Sequence, residues 1–350
     1  RTAGILSGGG GMVVIAANHN RRMFAHKVHH LGRIGTVVNQ IAEHPQLIKI
    51  AGRTPEGLKV AVDVGENGDL HRGPVCDGGR RAVNPARLIQ SEEICMRINH
   101  VKKALAEGKV QYGCALAQFR SPDVARILAA AGFQWAFIDT EHGGFGIETV
   151  QDINRVAVAC GLAPMVRVAD LQYSLVARAL DCGAMGIVFP RVESVELLER
   201  AVSWCRFPPS GVRGFGLTPL QVDFEPVTIG QMAEQISANT LVVLQIETQR
   251  AVEMRDELLS VKGVDAVMVG PVDLSISLGV PGDFQHPKMV DAMEKIRDAC
   301  LAHGVAPGTQ TRTAQLARFW KDRGMLFLGC NSETGMLFER AKQIIAELTA

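Results

Sequence analysis

The sequence predicts an α/β protein, a closed (β/α)8 TIM barrel preceded by an N-terminal extension of uncertain structure. Three observations carry this. From Met96 to Ala350 there are 255 residues, close to the ~250 typical of such a barrel. Over that stretch short apolar runs alternate eight times with helical patterns, the order expected of a parallel sheet whose strands are joined by helices. The best-defined runs are apolar at nearly every position, as strands covered on both faces are.

The expected strands are Cys114–Phe119, Trp135–Asp139, Pro164–Val168, Gly186–Pro190, Leu241–Glu247, Ala266–Gly270, Val305–Thr309 and Met325–Cys330. The first helix opens on Ser121-Pro122-Asp123, with Ser121 suited to the N-cap and Pro122 to the first helical position, and runs to Ala131. Ile147–Cys160, Leu171–Cys182, Val195–Cys205, Val252–Leu259, Pro287–His303 and Thr313–Arg323 follow, and Met336–Leu348 closes the chain. The largest irregular insertion, Phe207 to Pro226, is rich in Pro and Gly and reads as loop chemistry.

Residues 1–95 differ in character from the stretch that begins at Met96. Glycine runs interrupt them, and six of the ten histidines lie there: His19, His26, His29, His30, His44 and His71. Their spacing matches no standard zinc pattern. A small structured extension is one reading. Another is that the stretch is not native coding sequence, since the chain begins at Arg1 and Glu92-Glu93 before Met96 looks like a ribosome-binding site translated in frame. On that reading a chain starting at Met96 should be soluble and active. The division expected is therefore 1–95 as extension and 96–350 as barrel.

A formal net charge of +1 makes no electrostatic case for nucleic acid or an anionic membrane. No apolar run reaches the length of a membrane span, and Met12 to Ala17 is too short for a signal-peptide core. The eight cysteines are scattered, with no C-x-x-C pair. Several fall in apolar patterns where cysteine acts as a small hydrophobe, which fits a reducing cytoplasm.

Barrel active sites assemble at the C-terminal strand ends. Two of the apolar runs end in an acid, Glu247 and Asp273. Alone, each reads as a helix-cap or turn residue. On consecutive strands, the pair can chelate one hard divalent cation and leave its other positions to water and substrate. Strand alternation puts Gln245 on the same side as Glu247. The second strand ends in Asp139-Thr140-Glu141-His142, the third in Arg167, the fourth in Pro190-Arg191. His142 alone reads as a loop histidine, and Arg167 equally well as an ion-pair partner of Asp139 or Glu141. Together they supply the parts for proton abstraction or C–C cleavage beside a carbonyl. No lysine ends a strand, so a Schiff-base mechanism lacks its nucleophile. No G-x-G-x-x-G or P-loop follows a strand. The last two strands lead into Thr309-Gln310-Thr311 and Cys330-Asn331-Ser332, not a glycine-rich phosphate cradle, which favours a nonphosphorylated substrate.

Gln245-Ile246-Glu247-Thr248, Gly270-Pro271-Val272-Asp273-Leu274-Ser275, Asp139-Thr140-Glu141-His142 and Val166-Arg167, taken in order, resemble the metal-dependent pyruvate aldolases of the HpcH/HpaI aldolase/citrate lyase family. The resemblance covers Met96 to the C-terminus. It implies that Glu247 and Asp273 hold Mg2+ or Mn2+, with Co2+ a third option. It further implies substrate contacts from Gln245 and from the backbone at Val272 and Asp273, an enolate-steadying role for Arg167, and His142 as base. Asp181 matches an acid that pairs with that base. It lies just before the fourth strand, at the wrong end of its own barrel, so it would reach His142 only from a neighbouring subunit. The resemblance thus implies a homo-oligomer, commonly a hexamer with an exchanged C-terminal helix. The pattern departs at Gly143-Gly144-Phe145, at Thr218-Pro219-Leu220-Gln221, where many relatives place an arginine, and at Asn331-Ser332-Glu333. These loops bear on the aldehyde half of a substrate.

The expectation is a class II aldolase that reversibly cleaves a 4-hydroxy-2-oxo acid to pyruvate and an aldehyde. Its rivals are a carbon–carbon lyase acting on a CoA thioester and a barrel kept as a noncatalytic subunit.

Overall fold

The computed structural model describes residues 97–350, together with five short strands of the preceding stretch. Those strands are β1 (Ile5–Leu6), β2 (Val13–Ile15), β3 (Lys49–Arg53), β4 (Lys59–Val64) and β5 (Leu70–His71), hydrogen-bonded in that order as an antiparallel sheet. Apart from the backbone of His71, the histidine cluster of that stretch lies outside the described residues. Contacts divide the chain into Arg1–Glu93 and Ile94–Ala350.

The second unit is the expected barrel. Eight parallel strands close on themselves: β6 (Gln111–Leu116), β7 (Trp135–Asp139), β8 (Ala163–Arg167), β9 (Gly186–Phe189), β10 (Leu241–Ile246), β11 (Ala266–Val269), β12 (Gly308–Thr311) and β13 (Phe327–Ser332). The ring is completed by β13 pairing with β6. Strand β6 begins earlier than its apolar pattern suggests, because Gln111 N–H donates to Leu326 O at 2.8 Å and draws the preceding residues into the ladder. Strand β12 begins later, because Pro307 has no N–H to contribute and leaves Ala306 as an isolated bridge to Ala266.

Within the strands the side chains alternate. Trp135 and Phe137 of β7, Ala163 and Met165 of β8, Leu241 and Val243 of β10, and Ala266 and Met268 of β11 belong to one cluster, the barrel interior. Trp135 stacks on Phe327 of β13 with ring centroids 3.9 Å apart. The intervening residues, such as Ile138, Val166, Leu244 and Val267, face the surrounding helices in a second cluster.

A helix not anticipated from the sequence, α1 (His100–Ala106), closes the N-terminal end of the barrel. Val101 and Leu105 join the interior cluster, and fully burying two such side chains contributes about 1.5–3 kcal/mol each. Asn99 caps α1 by accepting from Lys102 N at 3.1 Å, and its amide donates to Met185 O and Asn239 O. Lys102 Nζ reaches Thr240 O and Asp265, each at 3.0 Å. Burial pulls the Lys102 ammonium below its usual range, and Asp265 partly resists.

The outer helices follow as expected: α2 (Asp123–Ala131), α3 (Ile147–Ala159), α4 (Tyr173–Asp181) and α5 (Val195–Ser203). Helix α2 starts after Ser121-Pro122, with Pro122 rather than Ser121 at the cap. The insertion holds a 3-10 turn, Pro219–Val222, and runs into α6 (Ile229–Asn239), a helix the apolar pattern does not reveal. Both open with a capping box, Thr218 with Gln221 and Thr228 with Gln231, a local signal that marks helix starts without hydrophobic periodicity. The helix expected over Val252–Leu259 is two short ones, α7 (Gln249–Glu253) and α8 (Arg255–Leu259), meeting at Met254. Then come α9 (Pro271–Ser277), α10 (Pro287–Ala302), α11 (Ala314–Lys321) and α12 (Glu333–Thr349). No described helix is long and apolar enough to cross a membrane.

Candidate active site

The alternation that fills the interior delivers polar groups at the C-terminal end of the same strands. Continuing the inward series places Asp139 on β7, Arg167 on β8, Gln245 on β10 and Glu247 just past its end. All four are buried. Asp139 and Arg167 are direct partners in the β7–β8 register, and their side chains form a two-point pair. Arg167 Nε donates to Asp139 Oδ1 at 3.0 Å and Nη2 to Oδ2 at 2.7 Å. Arg167 Nη1 lies 3.0 Å from Glu141 Oε2, an ion-pair distance without hydrogen-bond alignment. Two of the guanidinium's five N–H groups thus donate to Asp139, and the Nη1 edge is open to another ligand beside Glu141. The ambiguity over Arg167 as a structural partner resolves toward both Asp139 and Glu141.

Asp139 also shapes the loop that carries His142. Its Oδ1 accepts from Glu141 N at 3.0 Å and His142 N at 3.2 Å. This fixes the turn just beyond the strand and leaves the imidazole over half exposed, with Nε2 3.8 Å from Glu141 Oε1.

On β10, Gln245 Nε2 donates to Glu247 Oε2, while Gln245 Oε1 is buried without a partner among the described residues. Glu247 Oε1 accepts the backbone N–H of Arg191 at 2.8 Å. Arg191 has φ 55°, a left-handed conformation that costs an L residue about 1–2 kcal/mol. Its Nε reaches Glu141 Oε1 at 2.9 Å, and the acids around it, Glu141 foremost, hold its guanidinium firmly protonated. Gly270 leaves room for this arrangement: a Cβ there would stand 2.7 Å from Glu247 Oε2 and 2.9 Å from Gln245 Nε2. Burial pushes the Glu247 carboxyl above the usual carboxylate range, and the nearby Asp273 and Glu141 charges add to this.

Asp273 and Val272 sit in the first turn of α9, where backbone N–H groups have no intrahelical acceptor. The mouth thus gathers four carboxylates, Asp139, Glu141, Glu247 and Asp273, against two guanidiniums, Arg167 and Arg191. Setting His142 aside, the formal excess is two negative charges, which one divalent cation balances. Among the described residues no group of three His, Cys, Asp or Glu side chains converges as a metal cage. Two carboxylates, an unpaired amide oxygen and open positions suit a hard cation that keeps several waters, as Mg2+ does.

Asp181 is elsewhere. It ends α4 and so stands at the N-terminal end of the barrel, opposite His142. Within the chain it pairs with Arg213, whose Nη2 lies 2.7 Å from Asp181 Oδ1, and its backbone carbonyl accepts from Gln221. The structure does not bring Asp181 to His142 within one chain. The backbone N–H of Arg191 is the contact that sequence reasoning missed, and the only signal for it was an arginine immediately after the strand-ending Pro190.

A parallel barrel with a buried, acid-rich mouth and no lysine at a strand end defines the class. Residues 111–337 match the HpcH/HpaI aldolase/citrate lyase family, and the chain belongs to that family of aldolases and lyases. It is 33% identical over 249 residues to the 5-keto-4-deoxy-D-glucarate aldolase of Escherichia coli O6:H1, spanning 71% of this chain and 96% of the relative. Among solved structures it resembles the HpcH/HpaI aldolase of Desulfitobacterium hafniense DCB-2, with a TM-score of 0.68 and 33% identity over 71% of this chain and 95% of that one. A family protein of Burkholderia cenocepacia J2315 gives a TM-score of 0.67 at 31% identity, covering 72% and 100%.

Proposed function

We propose that the protein is a divalent-metal-dependent aldolase that reversibly cleaves a 4-hydroxy-2-oxo acid to pyruvate and an aldehyde. The observation that carries this reading is the buried Glu247, crowded by acids and held between Gln245 and the Arg191 N–H. A buried carboxylate without a facing cation is unfavourable, so this one is arranged to receive a cation.

Glu247 and Asp273 would hold Mg2+ or Mn2+, with Gln245 Oε1 beside them. Such an ion supplies fixed positive charge where a 2-oxo acid binds and where negative charge grows as the bond breaks. The remaining work falls to the chain. The amides of Val272 and Asp273, with Gln245, orient the 2-oxo acid. His142, on the exposed loop, accepts the C4 hydroxyl proton. As C3–C4 breaks, charge moves to the 2-oxo oxygen, where the Arg167 N–H groups not engaged by Asp139 stabilise it. Arg167 is held by Asp139 before substrate arrives, so no reorganisation is needed at that moment. The relative named for 5-keto-4-deoxy-D-glucarate supports a hydroxylated oxo acid as the substrate class.

The homo-oligomer fits the same reading. Helix α12 leaves Leu337, Phe338, Ile345 and Leu348 more than half exposed along one stripe, and the insertion exposes Val212, Leu220 and Phe224. Apolar surface of this extent marks an interface. On this reading the acid that pairs with His142 would be Asp181 of a neighbouring copy.

The test is a panel of aldehydes with pyruvate, with and without EDTA, run beside malyl-CoA and citramalyl-CoA. Condensation should require the divalent ion, and Glu247→Ala should lose both activity and Mn2+ binding. Unchanged activity and binding in that variant would falsify the mechanism.

A further inference from the structure

His142 sits on a loop with more than half of its side chain exposed, so its position depends on what holds the loop. On the side before His142 the hold is Asp139 Oδ1; on the side after it, the hold comes from the turn that leaves β6. Gly144 N–H donates to Ala117 O at 3.2 Å, and Arg120 Nη2 donates to Gly144 O at 3.2 Å. Between them Gly143 packs so tightly on Asp139 O that a Cβ would overlap it, and the same Cβ would stand 3.0 Å from Ala117 O.

That turn is itself built around a side chain from the other end of the barrel sequence. Glu333, the first residue of α12, is 4% exposed. Its Oε1 accepts from three consecutive amides: Ala117 N at 2.9 Å, Gln118 N at 2.6 Å and Phe119 N at 3.1 Å. Successive amides that converge in this way form a nest suited to an anion. Here the anion is internal, and the nest serves as a joint. Glu333 Oε2 is buried with no partner among the described residues. A carboxylate is thus kept dry for the sake of three hydrogen bonds to one turn, and that turn grips the loop of His142.

We propose that Glu333 is a positioning residue for His142, acting through the Ala117–Arg120 turn and Gly144. This rests on reading His142 as the base of the cleavage. Arg167 and Glu247 do not depend on the joint, since Asp139 and the Arg191 N–H hold them directly. The two halves of the chemistry should therefore separate.

The experiment compares two reactions of the Mg2+-loaded full chain. One is cleavage of a 4-hydroxy-2-oxo acid, which needs a base at the C4 hydroxyl. The other is decarboxylation of oxaloacetate, in which the C3–C4 bond breaks to release CO2, its electron pair passes into the enolate, and a proton at C3 completes pyruvate. No hydroxyl proton is removed in that reaction. Glu333→Gln should lower kcat for cleavage about 10- to 100-fold, a part of the 10²–10⁴ a positioned base contributes. KM and the decarboxylation rate should stay within about threefold, and Glu333→Asp should restore part of the loss. Arg120→Met, at an exposed residue, should show the same selective loss, and the double variant should lose less than the product of the two, because both act on one loop. Equal loss of both reactions in Glu333→Gln, or cleavage untouched in both single variants, would overturn the proposal. If Glu333→Gln fails to fold, Arg120→Met decides. A wild-type protein that decarboxylates oxaloacetate but cleaves no hydroxy-oxo acid would instead sink the functional reading on which this rests.

Discussion

Arg191 donates its backbone N–H to Glu247 Oε1 at 2.8 Å while its own backbone holds a left-handed φ of 55°. The strained residue is the one that orients the central carboxylate. Strain kept at such a point implies surroundings that over-determine it. Arg191→Gly keeps the N–H and relieves the strain, whereas Arg191→Ala keeps the strain. The glycine variant should be more stable than the alanine variant by about 1 kcal/mol, read from urea denaturation. Equal stabilities would mean the backbone relaxes when the side chain is lost.

Arg167 and Asp139 form a buried pair, and removing one partner leaves a charge uncompensated. Arg167→Met should destabilise the barrel by about 3–5 kcal/mol. Arg167→Lys keeps the charge but not the two-point geometry. It should fold with a smaller loss of stability while cleavage falls about 100- to 1,000-fold, as for the loss of one preorganised donor. Denaturation and kcat/KM measured on both variants separate the structural and chemical roles.

At the other end of the barrel, Lys102 gives a pH dependence with a definite sign. Burial lowers its folded-state pKa below 10.5. Between that lowered value and 10.5 the unfolded chain binds more protons than the folded one, so stability rises with pH across this window. Below it, the penalty for burying the ammonium is constant. Lys102→Met should remove the rise and stay within about 1 kcal/mol of wild type at neutral pH. Asp265 would still accept from Val242 N at 2.8 Å and face Arg206 at 3.5 Å. Denaturation midpoints from pH 8 to 10.5 for both proteins check this.

The apolar stripe of α12 predicts association. Ile345→Glu places a charge on an exposed face of the single chain and should leave its folding unchanged within about 0.5 kcal/mol, while lowering the mass found by light scattering toward that of one chain. An unchanged mass would show that this stripe does not hold copies together.

The apolar runs made the parallel barrel legible because burial on both faces leaves a plain mark. Alternation made Gln245 and Glu247 legible as a pair, and chain order put Asp139, Arg167 and His142 at one mouth. Three things were hidden for a common reason. Arg191 acts through its backbone, Glu333 acts on a turn 214 to 216 residues away, and α6 starts on side-chain caps rather than periodicity. None of these alters the hydrophobic pattern from which strands and helices are read. Asp181 remains at the far end of its own barrel, where its partner within the chain is Arg213.

Glu333 follows β13, the last strand of the barrel, and the turn it organises follows β6, the first. During synthesis the β6 turn leaves the ribosome long before the residue that completes it. Barrel closure between β13 and β6 and the grip of Glu333 on the β6 turn therefore fall at nearly the same moment, once the last barrel strand and the residue after it have been made. Chains cut short before Glu333 would lack both, so the nascent protein gains its chemistry only once translation of the barrel is essentially complete.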